Sequence, residues 1–336
     1  MDINARIASE LGISRSRCDA AIGLIDEGNT IPFIARYRKE ATGSLTDEQL
    51  RTLYERLTAY RALDERRADI LRLIEAQGKL TPEITDSAER AQTLAELEDI
   101  YRPYRPKRRT RASVAAEAGL TPLAEILLAQ NGATVPESAA EAFINSEKGI
   151  ETAQKALAGA MDIIAERISD DAAVRKWVRE TTYRTGRVVT KAKKEEDSVY
   201  RLYYDYSEPL SRIPSHRALA VNRGEKEGFL SVGVEADKER ITEWITARFV
   251  KKQPAECGKY VAAAAADAYE RLIAPSVKTE MRNTVTAAAQ EQAISVFGEN
   301  LRNLLMLPPV RGKVVMGFDP AYRTGCKIAV VNDVGD

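Results

Sequence analysis

The sequence predicts a mainly α-helical fold, in which a multi-lobed helical scaffold ends in a β-hairpin. Apolar residues recur at three- and four-residue steps over most of the chain, as they do on the buried face of a helix. Start and stop signals punctuate these runs, with Gly28 and Gly78 ending two of them. Only the last 24 residues change to short β-branched runs separated by turn residues.

The N-terminal helices follow from local signals. Ile3, Ile7 and Leu11 are four residues apart, which predicts a first amphipathic helix. A second helical pattern stops at Gly28, and Pro32 lies in the first turn of a third helix. Residues 46–49 have the form of a capping box and open a helix of roughly 30 residues that ends near Gly78.

Further helices are predicted to begin at Pro122 and Pro136, and residues 150–180 are predicted to form one long helix. Residues 196–235 lack a helical period, and a short strand is predicted at 229–236. Helices resume near residue 238, and Pro275 is expected to break or kink the pattern that follows.

The segments KVVMGFDP and CKIAVVND, near the C-terminal end, predict the two strands of the hairpin. Two strands alone are marginally stable. We therefore expect the sequence to stop inside a domain that continues further. The predicted divisions are an N-terminal helical lobe (1–78), a central helical scaffold (79–309) and the start of a β domain (310–336).

Composition excludes several classes of protein. Fifty basic residues balance fifty acidic ones, so any attraction for nucleic acid depends on where the charges lie. The three cysteines form no C-x-x-C pair, and His216 is the only histidine, which disfavours disulfide frameworks, zinc sites and histidine-dependent hydrolases. No phosphate-binding loop, export signal or membrane span is present, so no cofactor, no metal and a cytoplasmic location are expected.

The charges are grouped into blocks. Residues 83–99 hold six acids against Arg90 alone, and residues 101–111 hold six bases and no acid. The basic run interleaves tyrosines and prolines with its cations, which suits contact with nucleic-acid phosphates. Pairing with the acidic block beside it, or tying two helical lobes together, is an equally good interpretation.

A second basic stretch at residues 175–194 has eight bases against Glu180, an excess of seven charges. Such one-sided charge favours a phosphate-binding surface. From the two stretches we select eleven candidate nucleic-acid-binding residues: Arg102, Arg105, Lys107, Arg108, Arg109, Arg111, Arg184, Arg187, Lys191, Lys193 and Lys194.

Two other groups are less specific. The tyrosines at positions 200, 203, 204 and 206 could form a stacking platform, but such a cluster more often packs an irregular hinge. His216 has no partner pattern and is expected to be structural or exposed.

Three blocks of the sequence resemble those of the Tex family of bacterial transcription accessory proteins: GNTIPFIARYRKEATGSL (28–45), LEDIYRPYRPKRRTRASVAAEAGLTPLA (97–124) and GFDPAYRTGCKIAVV (317–331). The resemblance implies a helix-turn-helix-like N-terminal part and, from residue 310, the first hairpin of an RNase H-like (YqgF) domain. It also implies binding of RNA or DNA, and action with RNA polymerase or the elongation machinery.

The resemblance places Asp319 where RNase H-like nucleases carry their first metal-binding carboxylate. Two-metal hydrolysis needs several converging carboxylates, and Ala321 stands where the common pattern has glycine. We therefore expect Asp319 to be vestigial and the chain to be non-enzymatic. The alternatives are a metal-dependent nuclease or resolvase at full length, and a protein-interaction scaffold that binds no nucleic acid in this part of the chain.

Overall fold

The structure is a computed structural model that describes residues 2–106, 109–194, 196–251, 256–308, 310, 312–321 and 325–336. It is mainly α-helical, as predicted. In chain order the α-helices are α1 (Ile3–Leu11), α2 (Arg15–Asp26), α3 (Ile31–Tyr37), α4 (Lys39–Thr42), α5 (Asp47–Glu75), α6 (Pro82–Arg90), α7 (Leu94–Tyr101), α8 (Arg111–Glu117), α9 (Thr121–Ala129), α10 (Pro136–Glu141), α11 (Ala153–Asp170), α12 (Ala172–Thr185), α13 (Ser215–Lys226), α14 (Lys238–Phe249), α15 (Cys257–Asp267) and α16 (Ala274–Leu305). The strands are β1 (Arg187–Ala192), β2 (Asp205–Pro209), β3 (Leu230–Glu235), β4 (Val315–Pro320) and β5 (Cys326–Val331).

The described residues fall into two compact units. Unit 1 comprises residues 1–182 and 237–277, and unit 2 comprises residues 183–236 and 278–336. The division of the chain at residues 78 and 309 stays a prediction. No single helix in the described ranges has both the length and the apolar composition needed to cross a membrane.

Helix α5 organises the N-terminal part of unit 1. Both hydrogen bonds of the predicted capping box between Thr46 and Gln49 form at its start. Its first half packs with the apolar faces of α1, α2 and α3 into one buried cluster that includes Ile7, Ile22 and Ile34. Its second half packs with α6 and α7 into another cluster.

The predicted single helix at 150–180 is wrong, because the structure has two helices, α11 and α12. Asp171, between them, has an extended backbone (φ −69°, ψ 113°), and its carboxylate accepts a hydrogen bond from the Val174 amide at 2.9 Å. This side chain caps the new helix. The apolar period continues through the break, so spacing alone concealed it.

The expected break or kink at Pro275 takes a different form. A π-helical segment, Ala268–Ile273, joins α15 to α16 immediately before the proline. A wider turn accommodates a residue that lacks the amide hydrogen and whose ring crowds the preceding turn. The helical run therefore continues to Leu305.

Unit 2 contains a three-stranded antiparallel sheet in the order β2-β1-β3. The predicted strand at 229–236 is confirmed as β3. Strands β1 and β2 and helix α13 were not predicted. Val188 and Thr190 on β1 are buried, whereas Arg187 and Lys191 are exposed on the opposite face, which is the alternation of a half-buried strand.

The predicted terminal hairpin is confirmed. Strands β4 and β5 pair antiparallel, with Val315 opposite Val331 and Pro320 opposite Cys326. The RNase H-like identity of this hairpin stays a prediction.

Candidate nucleic-acid interface

The basic run that follows α7 is only partly exposed. Tyr101 is buried, and Arg102 lies half-buried with Nε 3.3 Å from Asp170 Oδ1, although that nitrogen forms no hydrogen bond within the described residues. Arg105 and Arg109 are exposed. Lys107 and Arg108 lie outside the described residues. The run therefore begins beside Asp170, and its described arginines further along, Arg105 and Arg109, face solvent.

Arg109 and Arg111 line a groove in unit 1. The groove has a volume of about 690 Å³ and is also lined by Lys148 and Lys155, which sequence reasoning did not select. An isolated bridge between Asn145 and Ile150 closes the turn that carries Lys148. The sequence has no local signal that would place Lys148 beside Arg111, because the two residues are 37 positions apart along the chain (148 − 111).

The groove is lined by both basic and apolar residues. Its apolar lining includes Val114, Ala118 and Gly159. Lys155 is held by Glu151 at 2.6 Å. Asp162 forms part of the wall, and burial raises the pKa of this carboxyl even though Arg271 and Arg111 act in the opposite direction. Arg109, Arg111 and Lys148 contact no carboxylate among the described residues.

The second basic stretch divides into two parts with different roles. On α12, Arg175 and Arg179 donate to the two carboxylate oxygens of Asp99 at 2.8 and 2.7 Å. Lys176 donates to Glu96 at 2.7 Å. The acidic block thus neutralises the start of the second basic stretch, and this pairing was not foreseen.

The remaining cations of that stretch lie in unit 2 and are all exposed. We call them the β1 patch: Arg184, Arg187, Lys191, Lys193 and Lys194. None forms an ion pair with a carboxylate in the described part of the chain. Their polar contacts are instead neutral ones.

Two contacts position members of the β1 patch. Arg187 donates from Nε to the Ser207 hydroxyl at 2.7 Å and from a terminal nitrogen to the Ser207 carbonyl oxygen at 2.9 Å. The Lys194 ammonium lies 5.1 Å from the centre of the Phe229 ring, a cation–π distance. Arg187 and Lys194 are therefore positioned by neutral partners, which do not neutralise the positive charge of either side chain.

The outward face of the sheet also carries two acids. Asp205 lies opposite Lys191, and Glu235 lies opposite Arg187. On this face of the sheet these two acids balance Arg187 and Lys191, so the excess positive charge of the β1 patch comes from Arg184, Lys193 and Lys194, which lie outside the strands. Short residues beside β1, Ser231 and Gly233 among them, leave the basic side chains standing above the sheet.

The tyrosine cluster packs within unit 2, as the structural interpretation expected. Tyr200 is buried and lies 5.7 Å from Phe229 between ring centres, and Tyr203 meets Tyr206 edge to face at 5.2 Å. The Tyr204 hydroxyl is 2.9 Å from that of Ser198. These rings are engaged with one another and with the sheet.

Among the described residues, Asp319 and His216 belong to no catalytic grouping. Asp319 is exposed on β4 and pairs in register with Lys327, and His216 is exposed near the start of α13. Within the described ranges, no group of three or more His, Cys, Asp or Glu residues is arranged to hold a metal ion.

Comparison with known proteins identifies the family. Residues 1–75 match the Tex-like protein N-terminal domain, and residues 131–297 match the Tex central region. The transcriptional accessory protein Tex of Neisseria gonorrhoeae is 41% identical over 345 residues, covering 100% of this chain and 45% of the relative. The uncharacterized protein YdcI of Bacillus subtilis is 41% identical over 342 residues, covering 99% of this chain and 47% of the relative.

A more distant relative is the human S1 RNA-binding domain-containing protein 1, which is 31% identical over 332 residues. That alignment covers 94% of this chain and 33% of the human protein. The chain spans less than half the length of these relatives. The first of the three sequence blocks, 28–45, falls within the matched N-terminal domain, and with both regions matched the chain belongs to the Tex family, of which it carries the N-terminal and central regions.

Proposed function

We propose that this chain is the N-terminal and central part of a transcription accessory protein and that its β1 patch binds the phosphate backbone of RNA or DNA. The name of the gonococcal relative, a transcriptional accessory protein, supports the first part, and the name of the human relative supports nucleic acid as the class of partner. RNA polymerase or the elongation machinery is the protein partner that such a role requires.

One observation carries the proposal. All five cations of the β1 patch are exposed and contact no carboxylate among the described residues, whereas Arg175, Lys176 and Arg179, just before them, are ion-paired. A solvated surface with interspersed charges would pair both groups alike. The separation leaves an uncompensated positive surface of the kind that phosphates neutralise.

The chemistry of the patch suits the backbone rather than the bases. Guanidinium and ammonium groups contact phosphate oxygens in any sequence. The neighbouring tyrosines are buried or half-buried, and Tyr203 and Tyr206 pack edge to face against each other, which disfavours them as a stacking platform for bases. Binding through the β1 patch is therefore tolerant of sequence and strongly dependent on salt.

The basic run of unit 1 is a second proposed phosphate contact. Arg105, Arg109 and Arg111 are exposed, and Arg109 and Arg111 line the groove together with Lys148. Arg102 is assigned a weaker role because it lies beside Asp170. Lys107 and Arg108 belong to the same proposed contact by their place in the sequence.

No catalytic step is assigned to the chain. Two-metal hydrolysis requires carboxylates that converge on the ions. Asp319 has a lysine as its cross-strand neighbour. We propose a binding function, with Asp319 as a vestigial carboxylate of the hairpin.

Fluorescence anisotropy tests the β1 patch directly. A labelled 20-nucleotide single-stranded RNA is titrated with the wild-type chain and with the triple variant Lys191→Gln, Lys193→Gln, Lys194→Gln at several salt concentrations. The slope of log affinity against log salt is negative, and each lost phosphate contact makes it shallower by about 0.7 for a single strand. We expect the slope of the triple variant to be shallower than that of the wild type by about 2.

A matched control removes the same charge elsewhere. Lys79, Lys226 and Lys313 are exposed and form no ion pair with described residues, so their change to Gln alters net charge equally. The control is expected to leave the salt slope within about 0.5 of the wild-type value. Equal losses in both variants would assign the attraction to net charge and contradict a defined site.

An absence of binding by the wild-type chain at low salt would favour the protein-interaction scaffold instead. In that case the β1 patch would be a docking surface for an acidic partner, and recognition of nucleic acid would have to lie elsewhere in the relatives.

A further inference from the structure

The segment from α3 to the start of α4 carries a surface that the proposed function does not use. Phe33 and Tyr37, one helical turn apart, are 38% and 64% exposed, and their rings lie 5.3 Å apart between centres at 47°. Both rings belong to unit 1. Large exposed aromatics on adjacent turns of one helix are more typical of binding surfaces than of cores.

Three cations lie beside these rings. The guanidinium of Arg38 lies 5.7 Å from the centre of the Phe33 ring, and that of Arg36 lies 5.9 Å from the Tyr37 ring. Lys39 follows directly. Glu40 is the only acid between residues 30 and 46, which leaves an excess of positive charge.

The lack of ion pairs here contrasts with the surrounding arginines. From Arg6 to Arg72, each arginine has a carboxylate oxygen within 4.0 Å except Arg17, Arg36 and Arg38. Arg17 is satisfied by backbone carbonyl oxygens. In this described part of the chain, the two arginines with neither a carboxylate nor a backbone carbonyl partner, Arg36 and Arg38, are therefore the two that lie against exposed rings.

The surface is held in place from below. Ile34, between the two rings, is fully buried in the N-terminal core. Arg17 donates to the Thr42 carbonyl at 3.1 Å and packs where a side chain on Gly43 would be, since a Cβ there would lie 2.6 Å from its Nε. The end of α4 is fixed by these contacts, which reduces the entropy that binding would cost.

From these observations we infer that Phe33, Tyr37, Arg36, Arg38 and Lys39 form a stacking site for single-stranded nucleic acid, with bases on the two rings and phosphates on the cations. This site rests on the proposed function in its class of ligand but adds a different contact in a different unit. It recognises unpaired bases, which the β1 patch does not.

A single strand fits better than a duplex or an acidic peptide. Bases in a duplex are stacked on one another and do not reach an external ring. An acidic peptide would satisfy the cations, but the exposed apolar surface is aromatic, because Ile34 is buried and Ala35 is half-buried. Aromatic faces with interleaved cations are the shared feature of sites that bind single strands without sequence preference.

The test separates stacking from charge. Three labelled probes of equal charge are titrated against the chain: a 12-nucleotide oligo(dT), an abasic 12-mer with the same backbone, and a glutamate-rich peptide. The variant Phe33→Leu, Tyr37→Leu keeps apolar side chains and all cations while it removes the rings. Thermal unfolding of this variant checks that the fold is retained.

We expect the double leucine variant to bind oligo(dT) about tenfold more weakly than the wild type and to bind the abasic probe within about twofold of it. Unchanged binding of oligo(dT) would overturn the inference. Tighter binding of the glutamate-rich peptide than of oligo(dT), lost in the same variant, would also overturn it in favour of a protein partner.

The β1 triple variant distinguishes this inference from the proposed function. If that variant loses affinity for the oligo(dT) and abasic probes alike while the leucine variant matches the wild type, the stacking site falls and the β1 patch stands. If the leucine variant alone loses affinity for oligo(dT), the stacking site stands and the β1 patch is contradicted. Crosslinking of an iodouracil-labelled strand to the peptide that contains Phe33 and Tyr37 is the positive result expected of the stacking site.

Discussion

Asp99 on α7 and Arg175 on α12 form a buried ion pair, with Arg175 Nε donating to Asp99 Oδ1 at 2.8 Å. Their side chains are 8% and 4% exposed. Arg179 donates to the second oxygen of Asp99, and a terminal nitrogen of Arg175 donates to the Ser276 hydroxyl at 2.9 Å. Burial, together with the charge of Arg102, lowers the pKa of the Arg175 guanidinium, which marks the cost of holding cations here.

Replacing Asp99 by Asn is expected to destabilise unit 1 strongly. The change would leave two arginines near one neutral amide in a buried site. Breaking a buried ion pair in this way lowers the free energy of unfolding by about 3–5 kcal/mol. Urea unfolding followed by tryptophan fluorescence measures it, because both tryptophans lie in unit 1, where Trp177 and Trp244 stack 4.0 Å apart.

The control for that experiment is Glu98→Gln, one residue away. Glu98 pairs with Arg66, but both side chains are substantially exposed, at 41% and 33%. A pair of that kind contributes at most about 1 kcal/mol. Equal losses for the two variants would show that the Asp99 site is hydrated and behaves as a surface pair.

Local signals explain which parts of this fold could be predicted. Helix α5 was predicted from its capping box to its end because Thr46, Gln49 and the apolar period all lie within the helix itself. The break at Asp171 was missed because a capping aspartate does not interrupt the spacing of apolar residues. Strand β1 was missed because it lies inside a run selected for its charge, and pairing with β2 and β3 decides its conformation.

The candidate sites show the same limit. The exposed lysines of the β1 patch could be selected from charge density alone. The burial and ion pairing of Arg175 could not be predicted, because its partner Asp99 is 76 residues away along the chain. In the sequence, Phe33 and Tyr37 are part of a family block and carry no signal of their own. The structure shows that they are exposed and that Ile34, between them, is the buried residue of this helix.

Glu10 is expected to make the stability of the N-terminal part depend on acidic pH. The pKa of its carboxyl is lowered, chiefly by the hydrogen bond from the Tyr60 hydroxyl and further by Arg6 and Arg56. A folded pKa below the unfolded one means that the folded state binds fewer protons. The contribution is therefore present above the ordinary glutamate pKa and is lost as pH falls through the folded value.

Urea midpoints of the wild type and of Glu10→Gln, measured at pH 7 and at pH 3, test this dependence. The gap between the two proteins should be larger at pH 7. Tyr60→Phe removes the hydroxyl that has the largest effect and should narrow the gap. A gap that widens towards pH 3 would contradict the sign of the pKa shift.

Gly159 on α11 is expected to tolerate no side chain. A Cβ at this position would lie 2.3 Å from Leu120 Cδ1 and 3.3 Å from Ala115 Cβ, and Leu120 is itself buried. Gly159→Ala should therefore lower the free energy of unfolding by about 1–3 kcal/mol, as overpacking does.

Gly23→Ala on α2 is the matched control, since nothing lies within 4 Å of a Cβ added at that position. The control should raise stability by about 0.5–1 kcal/mol through helix propensity, and a stabilised Gly159→Ala would refute the close approach.

Gln130 joins the end of α9 to the end of α14 through its side-chain amide. Its nitrogen donates to the Phe249 carbonyl at 2.8 Å, and its oxygen accepts from the Lys251 amide at 2.9 Å. The residue is buried and has a positive φ of 46°. Because alanine would leave both backbone groups without their partner, Gln130→Ala should lower the free energy of unfolding by about 1–3 kcal/mol.

Gln130→Gly removes the same amide but relieves the positive φ, so it should cost less than alanine by about 0.5–1 kcal/mol. Urea unfolding by tryptophan fluorescence measures both variants, since Trp244 lies on α14. Wild-type stability in either variant would show that water satisfies the Phe249 and Lys251 groups and that the amide bridge contributes nothing.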